Sequence, residues 1–190
     1  VAFKEIQARF ADDENNRTRF LLEAEVTARL EHPGIVPVYA LGRRADSRPF
    51  YAMRFIRGES LKEAIVRFFE DESKSGRSNP SRQRELLRSF IDVCQAIAYA
   101  HSRGVIHRDL KPANIMLGKF GETLVVDWGL AKIVGKFDSV ASLDESILQP
   151  DDDSIKTRQG SLVGTLAYMS PEQASGSCES VGPASDIYSL

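Results

Sequence analysis

The sequence predicts an α+β fold, in which short apolar strands are interleaved with long amphipathic helices. Three observations carry that expectation. Short apolar runs bounded by turn residues occur at 35–41, 50–55, Val105–Ile106 and 124–126, and runs of that length read as buried strands. Two longer segments, 17–30 and 82–102, instead repeat apolar residues every three or four positions, which is the helical period. Polar clusters sit directly after two of the strands. His107-Arg108-Asp109-Leu110-Lys111-Pro112-Ala113-Asn114 follows Val105–Ile106, and Asp127-Trp128-Gly129 follows 124–126. Side chains at the ends of buried strands are held by a rigid scaffold and are well placed for chemistry.

A chain of 190 residues has the length of one domain or slightly more and can bury roughly 70% of its unfolded surface. Its hydrophobic share of 42% and charged share of 27% are those of a globular protein. The net charge of −2 gives no basic footprint for nucleic acid. Cys94 and Cys178 have neither metal nor redox spacing and fit a reducing, cytoplasmic setting. No apolar run reaches the length of a membrane span, and the start is not a signal peptide. There is no internal repeat.

Taken in order, Val1-Ala2-Phe3-Lys4 reads as a short strand ending on a lysine. The helix at 17–30 carries Phe20, Leu21, Ala24, Ala28 and Leu30 as its apolar rhythm, with Glu23 and Glu25 on different faces. His32-Pro33-Gly34 ends it, because proline blocks continuation; His32 is read as bonding the turn, since no cysteine or histidine lies at metal spacing. The polar turn 43–48 joins the strands 35–41 and 50–55. Ser60 is the N-cap candidate of a helix running to about Phe69. Residues 70–84 are polar throughout and read as an exposed loop, its basic end set between a docking role and plain solvation. In the helix 82–102 the expected apolar face is Leu86, Leu87, Phe90, Ile91, Cys94, Ile97, Ala98 and His101, with His101 a satisfied core histidine and Gly104 the C-terminal cap.

Asp109 lies between two cations, Arg108 and Lys111, while Asn114 and Asp127 offer the oxygen ligands that hard cations prefer. A carboxylate to orient a hydroxyl, an amide and a carboxylate for metal, and a lysine for phosphate make a set for phosphoryl transfer. The run H-R-D-L-K-P-A-N resembles the catalytic loop of protein kinases, and D-W-G resembles their D-F-G. Val1-Ala2-Phe3-Lys4 is similar to their V-A-I-K, Ser170-Pro171-Glu172 to A-P-E, and 164–173 to bacterial Ser/Thr kinases of the eukaryotic type.

The resemblance implies a two-lobed fold: a truncated strand-rich N-lobe part with the hinge at 1–56, a mainly helical C-lobe part at 57–190, an activation segment at 127–172, and ATP with Mg²⁺ between the lobes. It implies that Asp109 takes or orients the substrate proton and Lys111 neutralises the transferred phosphoryl group. Asn114 and Asp127 would hold Mg²⁺. Lys4 would meet the α- and β-phosphates, paired with Glu23, the glutamate nine residues before His32. Met53 matches the gatekeeper and Arg54-Phe55-Ile56 the hinge, whose backbone would bond the adenine edge. Ala2 and Met116 match the apolar sandwich around adenine, or are plain core. Arg108 matches the receptor for a loop phosphate on Thr157 or Ser161, and Thr165 the residue that touches Asp109 and Lys111. Asp186 would bond the catalytic-loop backbone. Lys111 implies Ser/Thr specificity on protein substrates. The resemblance also allows dimerisation for activation-loop phosphorylation, and a cytoplasmic domain whose full-length parent is membrane-anchored.

Five departures stand out. Trp128 replaces Phe, Arg54 replaces an acidic residue, and Ser170 replaces Ala. No G-x-G-x-x-G occurs, and the expected last helices of the C-lobe are missing, so the expectation for these 190 residues alone is weak or absent turnover. The acidic stretch 138–153 lacks Lys and Arg and reads as an exposed insertion without the glycine of a calcium loop. Against the enzyme stands a second reading, a pseudokinase acting as a binding module; Mg²⁺-dependent ATP binding and autophosphorylation separate the two.

Overall fold

A computed structural model describes residues 1–11, 13–134, 166–176 and 180–190. Strand β1 (Ala2–Glu5) leads into the short helix α1 (Ala8–Ala11) and then helix α2 (Glu14–Arg29). Strands β2 (Val38–Arg43) and β3 (Pro49–Met53) complete an antiparallel sheet in the order β1-β3-β2. Its register sets Lys4 opposite Tyr51, so both side chains emerge on one face, while Phe3, one residue earlier, lies on the other and is exposed.

Helix α2 starts at Asp13, whose carboxylate accepts from the Asn15 N–H at 3.0 Å, a side-chain N-cap. One side of it, Phe20 and Ala24, packs with Ile6 and Tyr51 beneath the sheet. Leu22, Val26 and Leu30 enter a second, larger core with Leu61, Val93, Ile97, Leu110, Val125 and Trp128. The helix therefore belongs to both cores and transmits their relative position. The expected rhythm was partly wrong: Phe20, Ala24 and Leu30 are buried, but Ala28 is exposed and Val26 and Thr27 take the inner positions.

The strand expected at 35–41 begins only at Val38. Ile35 instead makes a single parallel bridge to Val125. The Val125 N–H donates to Gly34 C=O at 2.8 Å and the Val36 N–H to Val125 C=O at 3.2 Å, which ties the exit of α2 to the larger core.

Strand β4 (Gly58–Ser60) precedes helix α3 (Leu61–Ser75). Ser60 is its N-cap, with a reciprocal capping box to Glu63. The loop expected at 70–84 is corrected: α3 runs on to Ser75, Gly76 ends it at φ 62°, and helix α4 (Pro80–Ser102) starts from an Asn79 cap. Polar composition had suggested a loop, but a solvent-facing helix is polar by the same rule. The face of α4 is also corrected. Val93, Ala96, Ile97 and Ala100 are its buried residues, whereas Leu87, Phe90 and Ile91 are exposed.

Strand β5 (Val105–Ile106) and the 3-10 turn Pro112–Asn114 bracket the catalytic-loop motif; strands β6 (Ile115–Gly118), β7 (Thr123–Val125) and β8 (Lys132–Ile133) follow. The sheets are β4-β6-β7 and β5-β8. Helix α5 (Pro171–Ala174) and helix α6 (Pro183–Ser189) complete the described residues. Between α4 and β5, Gly104 adopts φ 72°, and a Cβ there would lie 2.4 Å from the Val134 carbonyl oxygen. A Gly104→Ala variant is expected to lose about 1–2 kcal/mol from the left-handed conformation alone, with more from the clash. Urea denaturation reads this directly; a wild-type midpoint would contradict it.

Candidate active site

Strand β5 delivers its polar end into the larger core. His107 is fully buried. Its Nδ1 accepts from the Asp109 N–H at 3.2 Å, which leaves Nε2–H to donate to Val126 C=O, also at 3.2 Å. Burial lowers the His107 pKa, against an opposing pull from Asp186, so the ring is a neutral spacer. The Trp128 ring packs on it with centroids 4.6 Å apart.

Arg108 and Asp127 have φ of 66° and 64°, left-handed values that side-chain-bearing residues rarely adopt. Such conformations persist only where surrounding contacts enforce them, and they concentrate at functional sites. Asp186 supplies one such contact: its two carboxylate oxygens accept from the His107 and Arg108 N–H groups, each at 2.8 Å. Its Oδ2 also lies 2.8 Å from His101 Nε2, so His101 is a satisfied, partly buried histidine. His32 likewise serves its turn: Nδ1 accepts from the Gly34 N–H at 3.0 Å.

The Asp109 side chain is almost wholly buried and takes the Lys111 ammonium on both oxygens, at 2.9 and 2.7 Å. The 3-10 turn folds Asn114 back, and its Nδ2 donates to Asp109 C=O at 2.8 Å and Asp109 Oδ2 at 3.0 Å. With both donor contacts on Asp109, Asn114 keeps its amide oxygen as a ligand for a cation.

Across the site, Lys4 Nζ lies 2.5 Å from Glu23 Oε1 and 2.9 Å from Asp127 Oδ1. Glu25 is occupied by Arg29, so the contact selects Glu23. Burial works against the Lys4 ammonium, yet Glu23 and Asp127 outweigh it and raise its pKa. The Tyr51 hydroxyl donates to Glu23 Oε1 at 2.6 Å. Burial first, then the Glu23 charge, push that phenol up, so it stays a donor. Sequence reasoning had not included Tyr51; its only signal is the cross-strand register with Lys4.

The expected adenine side is divided between two sheets. Ala2 pairs with Met53 across β1 and β3, and Met53 packs against the smaller core. Met116 lies on β6, opposite Ser60 and Leu124. The Arg54 N–H is taken by Pro37 C=O at 3.1 Å and its guanidinium by Glu122 at 2.7 Å. Among the described residues, the Arg54 carbonyl and both backbone groups of Ile56 make no backbone hydrogen bond. Thr157, Ser161 and Thr165 lie outside the described residues. Arg108, the expected partner of a phosphate on Thr157 or Ser161, donates from Nε to Leu130 C=O.

Two separate sources thus supply the site: a lysine and a glutamate from a sheet and its helix, bonded to Asp127, and an aspartate-lysine-asparagine set from a buried loop. The protein kinase domain family matches residues 1–190. The chain belongs to the protein kinase family. It is 42% identical over 196 aligned residues to serine/threonine-protein kinase PknD of Protochlamydia amoebophila, covering all of this chain and 19% of that protein. It is 38% identical to the PknD kinases of Chlamydia pneumoniae and Chlamydia muridarum, covering 20% and 21% of them. The chain thus spans about a fifth of the length of these kinases.

The donor chemistry of the site fits the family's metal. Magnesium takes oxygen ligands and is commonly held by one or two carboxylates together with substrate phosphates. Asp127 and the Asn114 amide oxygen are donors of that type. Among the described residues no group of three or more His, Cys, Asp or Glu side chains is placed to hold an ion by itself.

Proposed function

We propose that this domain transfers the γ-phosphoryl group of ATP to serine or threonine hydroxyls of proteins, using Mg²⁺. The observation that carries the reading is the Lys4 ammonium held between Glu23 and Asp127. Kinase activity needs the strand lysine paired with the helix glutamate while the metal-binding aspartate is in place. Residues 1–56 and 57–190 act as the two lobes, and the unbonded Arg54 and Ile56 backbone groups receive adenine.

In this reading Lys4 binds the α- and β-phosphates, and Glu23, itself steadied by Tyr51, orients it. Asp109 orients the substrate hydroxyl and accepts its proton. Lys111, already beside Asp109, balances charge on the transferred group. Asn114 and Asp127 would hold Mg²⁺, which would supply charge stabilisation for the transferred phosphoryl group. Catalysis is then mostly positioning and electrostatic stabilisation. The names of the kinases it resembles, together with Lys111, support Ser/Thr as the acceptor. Among the described residues no helix is long and apolar enough to cross a membrane.

The test uses the full-length protein that carries this domain. Incubation with labelled ATP and Mg²⁺ should place phosphate on serine and threonine of a protein substrate, and chelation of Mg²⁺ should abolish it. Mass spectrometry of the enzyme itself should find Thr157 or Ser161 phosphorylated, at a rate that rises with protein concentration if two copies modify each other. Nucleotide binding without any transfer would favour the binding-module reading.

A further inference from the structure

A departure from the family pattern, Ser170, stands at one end of a short chain of hydrogen bonds. Ser170 is fully buried and stands where the A-P-E motif has alanine. Three residues on, the Gln173 carboxamide uses both of its ends. Its Oε1 accepts from the Ser170 N–H at 3.2 Å and from the Ser170 hydroxyl at 3.0 Å. Its Nε2 donates to the Arg108 carbonyl at 2.7 Å. One amide thus joins the start of α5, where the activation segment ends, to the residue before Asp109.

The place of that bond matters. Asp186 secures the His107 and Arg108 N–H groups. The next peptide plane, between Arg108 and Asp109, carries the Asp109 backbone. Its N–H rests on His107 Nδ1 at a long 3.2 Å, and its C=O rests on Gln173. Arg108 is also in the left-handed region, so this plane is held by its contacts against its own preference.

We propose that Gln173 is a positioning residue for Asp109: with Ser170 it forms a latch that fixes the Arg108–Asp109 peptide and couples the end of the activation segment to the catalytic loop. The inference rests on the kinase reading above, in which Asp109 serves the acceptor hydroxyl. Its consequence is that a change in the activation segment reaches Asp109 through backbone as well as through Arg108.

A plain helix-capping role makes a different prediction, and one substitution separates the two. Glutamate at the third helical position is a standard capping-box partner, so Gln173→Glu keeps the acceptor for Ser170. It removes the donor and sets a carboxylate against the Arg108 carbonyl. In the full-length protein, Gln173→Glu is expected to lower kcat by about tenfold or more, the factor that about 1.4 kcal/mol of misplacement produces. KM for ATP and the melting temperature should stay at wild-type values. Gln173→Met, which loses both ends, should show the same loss of kcat. In both variants amide hydrogen exchange at Arg108 and Asp109 should quicken.

A Gln173→Glu enzyme with wild-type kcat overturns the proposal. So does a variant whose melting temperature, ATP affinity and kcat fall together, since that is the mark of a structural cap. Should the wild-type protein transfer no phosphate, the proposed function fails, and hydrogen exchange still decides the latch: unchanged exchange at Asp109 in Gln173→Glu refutes it.

Discussion

Asp109→Asn should abolish most phosphoryl transfer while ATP still binds. Asn is nearly the same shape, so the peptide contacts to His107 and Gln173 survive. What goes is the negative charge, and with it the capacity to take a proton from the acceptor hydroxyl. Loss of a positioned general base typically costs about 10²–10⁴-fold, and the Lys111 ammonium, now bonded to both carboxylate oxygens, also loses its counter-charge. The nucleotide-facing contacts are a different set. Lys4, Glu23, Tyr51 and Asp127 bond one another rather than Asp109; Asn114 does bond Asp109, but its contact with the Asp109 C=O survives the substitution. A kcat measurement beside an ATP titration reads both quantities. An ATP affinity that drops as far as the rate would place Asp109 in the nucleotide site and overturn the assignment. Asp127→Ala is the contrasting variant: it removes both the proposed metal ligand and a partner of Lys4, so affinity for Mg²⁺-ATP and rate should fall together.

Much of this site can be read from the chain alone because its chemistry is compressed into short runs. His107 to Asn114 holds four of the residues within eight positions, and Asp127 follows a strand that any periodicity count finds. Contacts across the fold are less legible. Glu23 and Glu25 are indistinguishable by local pattern, and the register of α2 against Lys4 decides between them. Tyr51 enters only through strand pairing. Gln173 looks like an ordinary residue on a short helix until α5 is placed against the catalytic loop. The errors in α4 have another cause. Leu87, Phe90 and Ile91 are large apolar residues and drew the apolar face toward themselves. The fold instead buries Val93, Ala96, Ile97 and Ala100, and α4 packs against β5 and β7. The side of α4 that meets the strands, rather than hydrophobicity alone, set that face. The extension of α3 through polar residues was hidden for a similar reason, although Gly76 and the Asn79-Pro80 pair marked both boundaries.

The largest stability loss is expected at Asp186, far along the chain from the loop it supports. Its carboxylate is fully buried and answers three donors at once: the N–H groups of His107 and Arg108, and His101 Nε2, each at 2.8 Å. Asp186→Ala leaves two backbone donors without partners in the interior, where each unsatisfied group costs about 1–3 kcal/mol. It also frees Arg108 to leave its left-handed conformation, which only surrounding contacts maintain. A combined loss of about 3–5 kcal/mol follows, the range seen when one side of a buried charged contact is removed. Since a domain is typically stable by only about 5–15 kcal/mol, the variant should melt at a clearly lower temperature or fail to accumulate in soluble form. Asp186→Asn tells the two contributions apart. It retains one acceptor oxygen but turns an NH₂ group toward the second N–H, so its loss should fall between wild type and alanine. Urea denaturation of the three proteins gives the order. An alanine variant with the wild-type midpoint would show that water or a shifted backbone satisfies the His107 and Arg108 amides, and that the catalytic loop keeps its shape without this carboxylate.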